Sequence, residues 1–148
     1  MEVGQMEECV LNFKKVDKGD EAPVRSHVLT RTDLVMYAGA SGDYNPMHHD
    51  EVKAKQAGQP SVFGHGMFSM GLLGSALTDY VGIGNVRRFQ VRFAKQTWPD
   101  EKLQTKIVVT GKRTEGDDHL VDFEVRLLND EGEEKVVGEA TALVAGDH

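Results

Sequence analysis

Two side chains five positions apart, Asp43 and His48, share the segment Ser41–His49, SGDYNPMHH. A carboxylate and an imidazole aimed at one water can move two protons within a single reaction, and imidazole suits the task because its unperturbed pKa lies near neutral pH. Syn addition of water to a double bond, or its removal, needs such a pairing. The intervening Pro46 fixes its own φ and drives Asn45 into an extended conformation, so the loop carrying the pair is expected to be stiff. Gly, Asp, Asn and Pro also make ordinary helix-ending turns, which leaves a plain turn open as the alternative for GD-x-NP alone. His48 and His49 raise the question of a metal. Adjacent positions do not readily converge on one ion, no cysteine is near and no H-x-x-x-H spacing exists, so no metal site is expected.

A second segment, Phe63-Gly-His-Gly-Met67, opens the longest apolar stretch of the chain. Its glycines leave the first unpaired N–H groups of a helix open to a ligand, and a helix N-terminus favours negative charge. Beside a thioester, charge develops on the carbonyl oxygen as an enolate, and the N–H of Gly66 would then be an oxyanion donor worth about 2.7–4 kcal/mol. His65 has two readings, lining the substrate pocket or serving as a structural hydrogen-bonder at the helix start. His27 and His119, on strand-like segments, read as ordinary surface or core histidines. The lone Cys9 can form neither an internal disulfide nor a zinc cluster and is given no role.

These residues need a scaffold. Residues 24–30 read as a short strand, and Thr30 followed by Asp33 resembles a capping box opening a helix through Leu34, Val35 and Tyr37 that stops near Gly39 or Gly42. Asp50 caps a short helix ended by Gly58. From Gly66 to about Tyr80 runs a helix with no polar face, in which Gly66, Gly71, Gly74 and Ser75 permit close approach; such a helix must be buried on most sides. Thereafter the period becomes two: Phe89, Val91 and Phe93; Leu103, Thr105, Ile107 and Val109; Val121, Phe123, Val125 and Leu127; then a last strand over 136–144. Turn formers at Glu115–Asp118 and Asn129–Gly132 imply antiparallel hairpins. The expected fold class is α+β, a curved antiparallel sheet wrapping the long helix. Without repeats or linkers, the chain divides into a flexible N-terminal tail, 1–12, and a single domain, 13–148.

Composition narrows the function classes. The 148 residues, 39% hydrophobic and 28% charged, suit one globular domain, and no run is long enough to span a membrane. The first twenty residues lack the basic start and apolar centre of a secretory signal, so a cytoplasmic location is expected. A net charge of −7, from 17 basic and 24 acidic side chains, argues against nucleic acid or an anionic membrane as partner. One stretch, Arg87 to Lys106, is locally basic; an anionic ligand docking there and a set of solvated strand positions are both open readings.

The run YAGASGDYNPMHHDEVKAKQAG, followed by FGHGMFSMGLL, resembles the signature of MaoC-like dehydratases and (R)-specific enoyl-CoA hydratases, whose core reads G-D-x-N-P-x-H with an H-G-M helix start downstream. The longer run VDKGDEAPVRSHVLTRTDLVMYAGASGDYNP is similar to the 3-hydroxyacyl-ACP dehydratase subunits of mycobacterial-type fatty acid synthases, and the likeness spans residues 13–145. The resemblance implies a hot-dog fold, with Asp43 and His48 holding the reacting water, Asn45 supporting the loop in the substrate site, Gly66 donating to the thioester oxygen, and His49 a bystander. It further implies reversible syn hydration of trans-2-enoyl thioesters to (3R)-hydroxyacyl thioesters, no cofactor beyond the coenzyme A or acyl-carrier phosphopantetheine that bears the substrate, and a homodimer or a heterodimer with a related subunit. Since coenzyme A and acyl-carrier proteins are anionic, it places the basic stretch near the tunnel mouth. Two rivals stay open: a hot-dog thioesterase, for which Asp79 is the only acid on the long helix, and a non-catalytic acyl-binding subunit.

Overall fold

The computed structural model describes residues 11–146. The expected tail falls outside them up to residue 10; Asn12 already pairs with Ala145 in an isolated parallel bridge and Leu11 packs against the core, so structure begins ahead of residue 13.

The first strand is short, β1 (Ser26–Val28), and gives way to helix α1 (Arg31–Ser41). The capping box forms as expected: the Thr30 hydroxyl accepts from the Asp33 N–H, and the Asp33 carboxylate accepts from the Thr30 N–H. Of the two possible stops the chain uses Gly42, which takes the left-handed conformation at φ 76° and returns its N–H to Ala38. A 3-10 turn over Pro46–His48 and helix α2 (Glu51–Gln56), capped by Asp50, lead to helix α3 (Gly66–Val81).

Four strands follow, β2 (Val86–Phe93), β3 (Lys102–Glu115), β4 (Asp118–Asn129) and β5 (Glu134–Leu143), joined in one antiparallel sheet of order β1-β3-β4-β5-β2. Both expected hairpins are present, β3–β4 turning at Glu115–Asp118 and β4–β5 after Asn129. Period-two burial is cleanest in the two central strands, where Leu103, Ile107 and Val109 of β3 and Val121, Phe123, Val125 and Leu127 of β4 form the floor on which α3 rests. The sheet wraps the helix, as the hot-dog expectation required.

The long helix departs from its reading in one respect. Its buried face is a single stripe, Ser69, Leu73, Ala76, Leu77 and Val81, while Met67, Gly71, Ser75 and Asp79 lie exposed on the opposite side. A five-stranded sheet covers one flank of a helix, so absence of a polar face does not bury the other. The glycines separate accordingly. A Cβ on Gly74 would stand 3.2 Å from the Phe89 ring and one on Gly66 would stand 3.1 Å from the Phe93 ring, so these two let β2 approach the helix. Gly71 has nothing within 4 Å. Because alanine there fills open space and removes backbone freedom from the unfolded chain, Gly71→Ala should stabilise the protein by about 0.5–1 kcal/mol, read as a rise in the midpoint of thermal unfolding.

The basic stretch is divided by this topology. Arg87, Arg88 and Arg92 lie on β2 and Lys102 and Lys106 on β3, with β5 and β4 between them. Arg88 faces Glu139 at 3.9 Å, Lys95 bonds Glu133 at 2.7 Å and Lys106 faces Glu21 at 3.8 Å. Among the described residues the stretch forms no continuous cationic patch, and Lys95 is the one member of this set that reaches the cleft described next.

Candidate active site

The loop after α1 is stapled by a relay of two-residue turns. The Ser41 hydroxyl donates to the Tyr37 carbonyl and accepts from the Asp43 N–H; Asp43 Oδ1 accepts from the Asn45 N–H at 3.2 Å; Asn45 Oδ1 accepts from the Met47 N–H at 3.1 Å. Short polar side chains that bond the backbone two residues on are the reason Ser, Asp and Asn occupy these positions. The relay engages one oxygen of Asp43 and leaves Oδ2 facing His48. Asn45 caps the 3-10 turn, so its carbonyl oxygen is committed to the loop itself.

His48 is buried, with 7% of its surface exposed, whereas the Asp43 side chain is 49% exposed. His48 Nδ1–H donates to the Phe63 carbonyl at 2.6 Å, which fixes the tautomer and points the Nε2 lone pair outward. That nitrogen stands 3.9 Å from Asp43 Oδ2. The gap is too long for a direct hydrogen bond and suits one water bonded to both groups. Sequence spacing had brought these two together, and the fold keeps them so. His49 turns away and donates from Nε2 to the Tyr44 carbonyl at 3.1 Å.

Phe63 and Gly64 then carry the chain to α3. The Phe63 N–H donates to the Met47 carbonyl and the Gly64 N–H to the Thr97 carbonyl, tying this segment to the His48 turn on one side and to residues 94–97 on the other. Between these walls lies an open cleft of about 420 Å³, lined by His48, Gly64, Gly66, Ser69, Phe93 and Thr97 among others. α3 begins at Gly66, whose N–H belongs to the first turn and so has no intrahelical acceptor. Gly64 cannot carry a side chain, for its Cβ would stand 2.1 Å from Thr97 Oγ1. Gly66→Ala is expected to lower turnover by pressing the Phe93 ring into the cleft while leaving the unfolding midpoint near that of the parent; steady-state kinetics beside a thermal melt checks both parts.

His65 lies beneath the site and outside the cleft lining. Its Nε2–H donates to the main-chain carbonyl of Asp43 at 3.2 Å, its ring stacks on His48 with centroids 3.9 Å apart and planes 28° apart, and Tyr37 meets its edge. Burial, followed by the nearness of His48, holds its pKa below the ordinary histidine value against the opposing pull of Asp43. Asp43, His48 and His65 each place one potential ligand atom within 4.8 Å of the others. Stacked rings send their in-plane lone pairs side by side, however, and a tetrahedral zinc at 2.0–2.1 Å needs them convergent.

Sequence reasoning missed the opposite wall. Thr97 and the segment around it carry no motif, and the signal at Phe63 is its backbone carbonyl, which no residue type announces.

Residues 14–131 match the family model of the MaoC like domain. The chain is 39% identical over 82 residues to 3-hydroxyacyl-thioester dehydratase Y of Mycobacterium tuberculosis, covering 53% of this chain and 28% of that protein. It is 34% identical over 112 residues to the fatty acid synthase beta subunit TOXC of Cochliobolus carbonum, covering 70% of this chain and 5% of that one. It thus spans less than a third of either relative's length. Among solved structures, the unliganded R-hydratase PhaJ1 of Pseudomonas aeruginosa superposes with a TM-score of 0.80 at 24% identity, over 91% of this chain and 86% of the other, a likeness of fold. With the model spanning most of the described residues and the sheet-wrapped helix agreeing with it, the chain belongs to the MaoC-like domain family.

Proposed function

We propose that the protein is a hydro-lyase that adds water reversibly and syn across trans-2-enoyl thioesters to give (3R)-hydroxyacyl thioesters, using no metal or redox cofactor. The observation that carries this reading is His48 Nε2 facing Asp43 Oδ2 across 3.9 Å beside the first turn of α3. In the hydration direction the oxygen of the bridging water bonds to Cβ as one of the two takes its proton, and the other, protonated on entering the step, delivers its proton to Cα on the same face; passing the proton gained from water across the pair restores the starting state. The Gly66 N–H stabilises the enolate oxygen that forms between these events. Asn45 acts by holding the loop. The substrate arrives on coenzyme A or on an acyl-carrier protein.

The test is purified protein with crotonyl-CoA, following loss of enone absorbance and release of free coenzyme A in parallel. Loss of absorbance without release supports the proposal. Release without hydration identifies a thioesterase, and neither identifies a binding subunit. The thioesterase reading is weakened by Asp79, which forms an ion pair with Arg25 and lies thirteen residues along α3 from Gly66, about 20 Å at the helical rise.

The proposed assembly is a dimer, of two copies or with a related subunit. Among the described strands β2 bonds only to β5, and Phe93 at its end is 50% exposed and Met67 in the first turn of α3 57% exposed, although Phe93 lines the cleft. Pairing across that edge would cover both and remove an open strand. Light scattering on the pure protein should give twice the chain mass, and a fully active monomer at low micromolar concentration would refute the arrangement.

A further inference from the structure

We propose that His65 is a positioning residue that stays neutral and thereby assigns to His48 any proton gained by the stacked pair. Its catalytic consequence rests on the hydratase reading; the assignment itself does not.

Hydrogen-bond acceptors decide which ring can carry the extra proton. An imidazolium donates from both nitrogens and needs two partners. His48 has them, the Phe63 carbonyl at Nδ1 and the Asp43 carboxylate facing Nε2. His65 has one. Its Nε2–H is taken by the Asp43 carbonyl, and Nδ1, buried and only a lone-pair acceptor in this tautomer, has no hydrogen-bond partner among the described residues. A proton on His65 Nδ1 would therefore be buried without an acceptor, which costs far more than leaving the lone pair unused. The Asp43 carboxylate favours a charged ring through space, but among the described residues none of the groups around it supplies an acceptor at Nδ1: Tyr37 of α1 meets it edge-on, the Asp43 main-chain carbonyl is taken up by Nε2–H, His48 covers one face, and His49 adds positive charge when protonated. Two imidazolium rings stacked at 3.9 Å would also repel.

His65 thus gives His48 a flat platform that never competes for its proton, and the same ring's N–H anchors the backbone of Asp43. One buried side chain aligns both members of the pair from below. This explains a histidine at a helix start that neither caps the helix nor lines the cleft.

Long-range proton–nitrogen NMR on the full chain labelled at histidine, recorded from pH 5 to 8, tests the assignment without substrate. His65 should remain neutral and protonated at Nε2 throughout, while His48 keeps its proton on Nδ1. A titrating His65, or one protonated at Nδ1, overturns the proposal. Two variants test the consequence. His65→Phe keeps a ring for His48 to lie on and removes the anchor; His65→Gln keeps a donor and removes the ring. Each should lower kcat for crotonyl-CoA by up to about 10²-fold, the scale of misplaced catalytic groups, with KM little changed. A fall in melting temperature with undiminished kcat in both variants would show a merely structural role and overturn it. Below about pH 6.5 the unfolded chain binds a proton at His65 that the folded chain refuses, so that part of the stability is present above this pH and lost as pH falls; His65→Phe should flatten that slope. Should the parent protein not hydrate crotonyl-CoA while the NMR result holds, the hydratase reading fails and the proton assignment stands.

Discussion

His48→Asn and Asp43→Asn are each expected to lower enone hydration by about 10²–10⁴-fold, the usual contribution of a general acid or base. Asparagine is the informative replacement at both positions. At 48 its amide nitrogen occupies the place of Nδ1 and can still donate to the Phe63 carbonyl, whereas alanine would leave that carbonyl without its partner, at a cost of about 1–3 kcal/mol, and open a hole beneath Phe63 and above His65. At 43 the amide oxygen still accepts from the Asn45 N–H, so the loop relay survives while proton transfer does not. The double variant should lose far less than the product of the single losses, because either change disables the same water. Rates of crotonyl-CoA hydration alongside circular-dichroism melts check this, and near-parental turnover in either single variant would remove the pair from the mechanism.

The second large effect is one of stability. Lys135→Ala should destabilise the protein by about 3–5 kcal/mol, the range for removing one partner of a buried ion pair. Lys135, 2% exposed, sends its ammonium to Glu101 at 2.8 Å and to the Gln96 carbonyl at 3.0 Å, with Glu133 at 3.7 Å. Asn129 donates to both carboxylates, at 2.9 Å each, so alanine strands Glu101 in a largely desolvated site. Lys135→Met, which fills the space with an apolar chain and pairs with Glu101→Gln to remove the charge, should cost considerably less. Urea titrations of the three proteins would show this as a shift of midpoint at constant slope. Since the ammonium pins Gln96 beside Thr97, the alanine variant should also raise KM, as that wall of the cleft loses its support.

Much of the architecture was legible in the sequence for reasons that differ by element. The Thr30–Asp33 box, the Asp50 cap and the period-two runs of β3 and β4 are local signals, set by bonding two to four residues away or by one buried face, and the structure reproduces them. The Asp43–His48 pair was equally legible because a stiff loop of six residues presents both. What stayed hidden is non-local. Lys135 reads as one more surface lysine beside a hairpin until the fold brings Glu101 and the Gln96 carbonyl to it from more than thirty residues away. His65 admitted two readings because its acceptor, the Asp43 carbonyl, lies twenty-two residues upstream. For the basic stretch, the reading as solvated strand positions is the one the structure bears out: Arg87, Arg88, Arg92, Lys102 and Lys106 are exposed on β2 and β3, two strands held apart because β2 joins β5 rather than β3.

That last pairing bears on how the protein is made. β2 ends at Phe93, and the strand it must bond, β5, ends at Leu143. During synthesis roughly fifty residues therefore leave the ribosome before β2 can find its neighbour, a wait of roughly 3–10 s at ~5–20 residues per second. Through that interval Phe89, Val91 and Phe93 are apolar side chains on a strand without a ladder, and the cleft wall that includes Phe93 does not yet exist. The loop carrying Asp43 and His48 and the start of α3 are in hand early, whereas the cleft beside them is closed only once β5 has emerged to pair with β2. A ribosome-bound chain truncated ahead of β5 should accordingly engage chaperones and bind no acyl thioester, and restoring residues 134–143 should release it from both conditions.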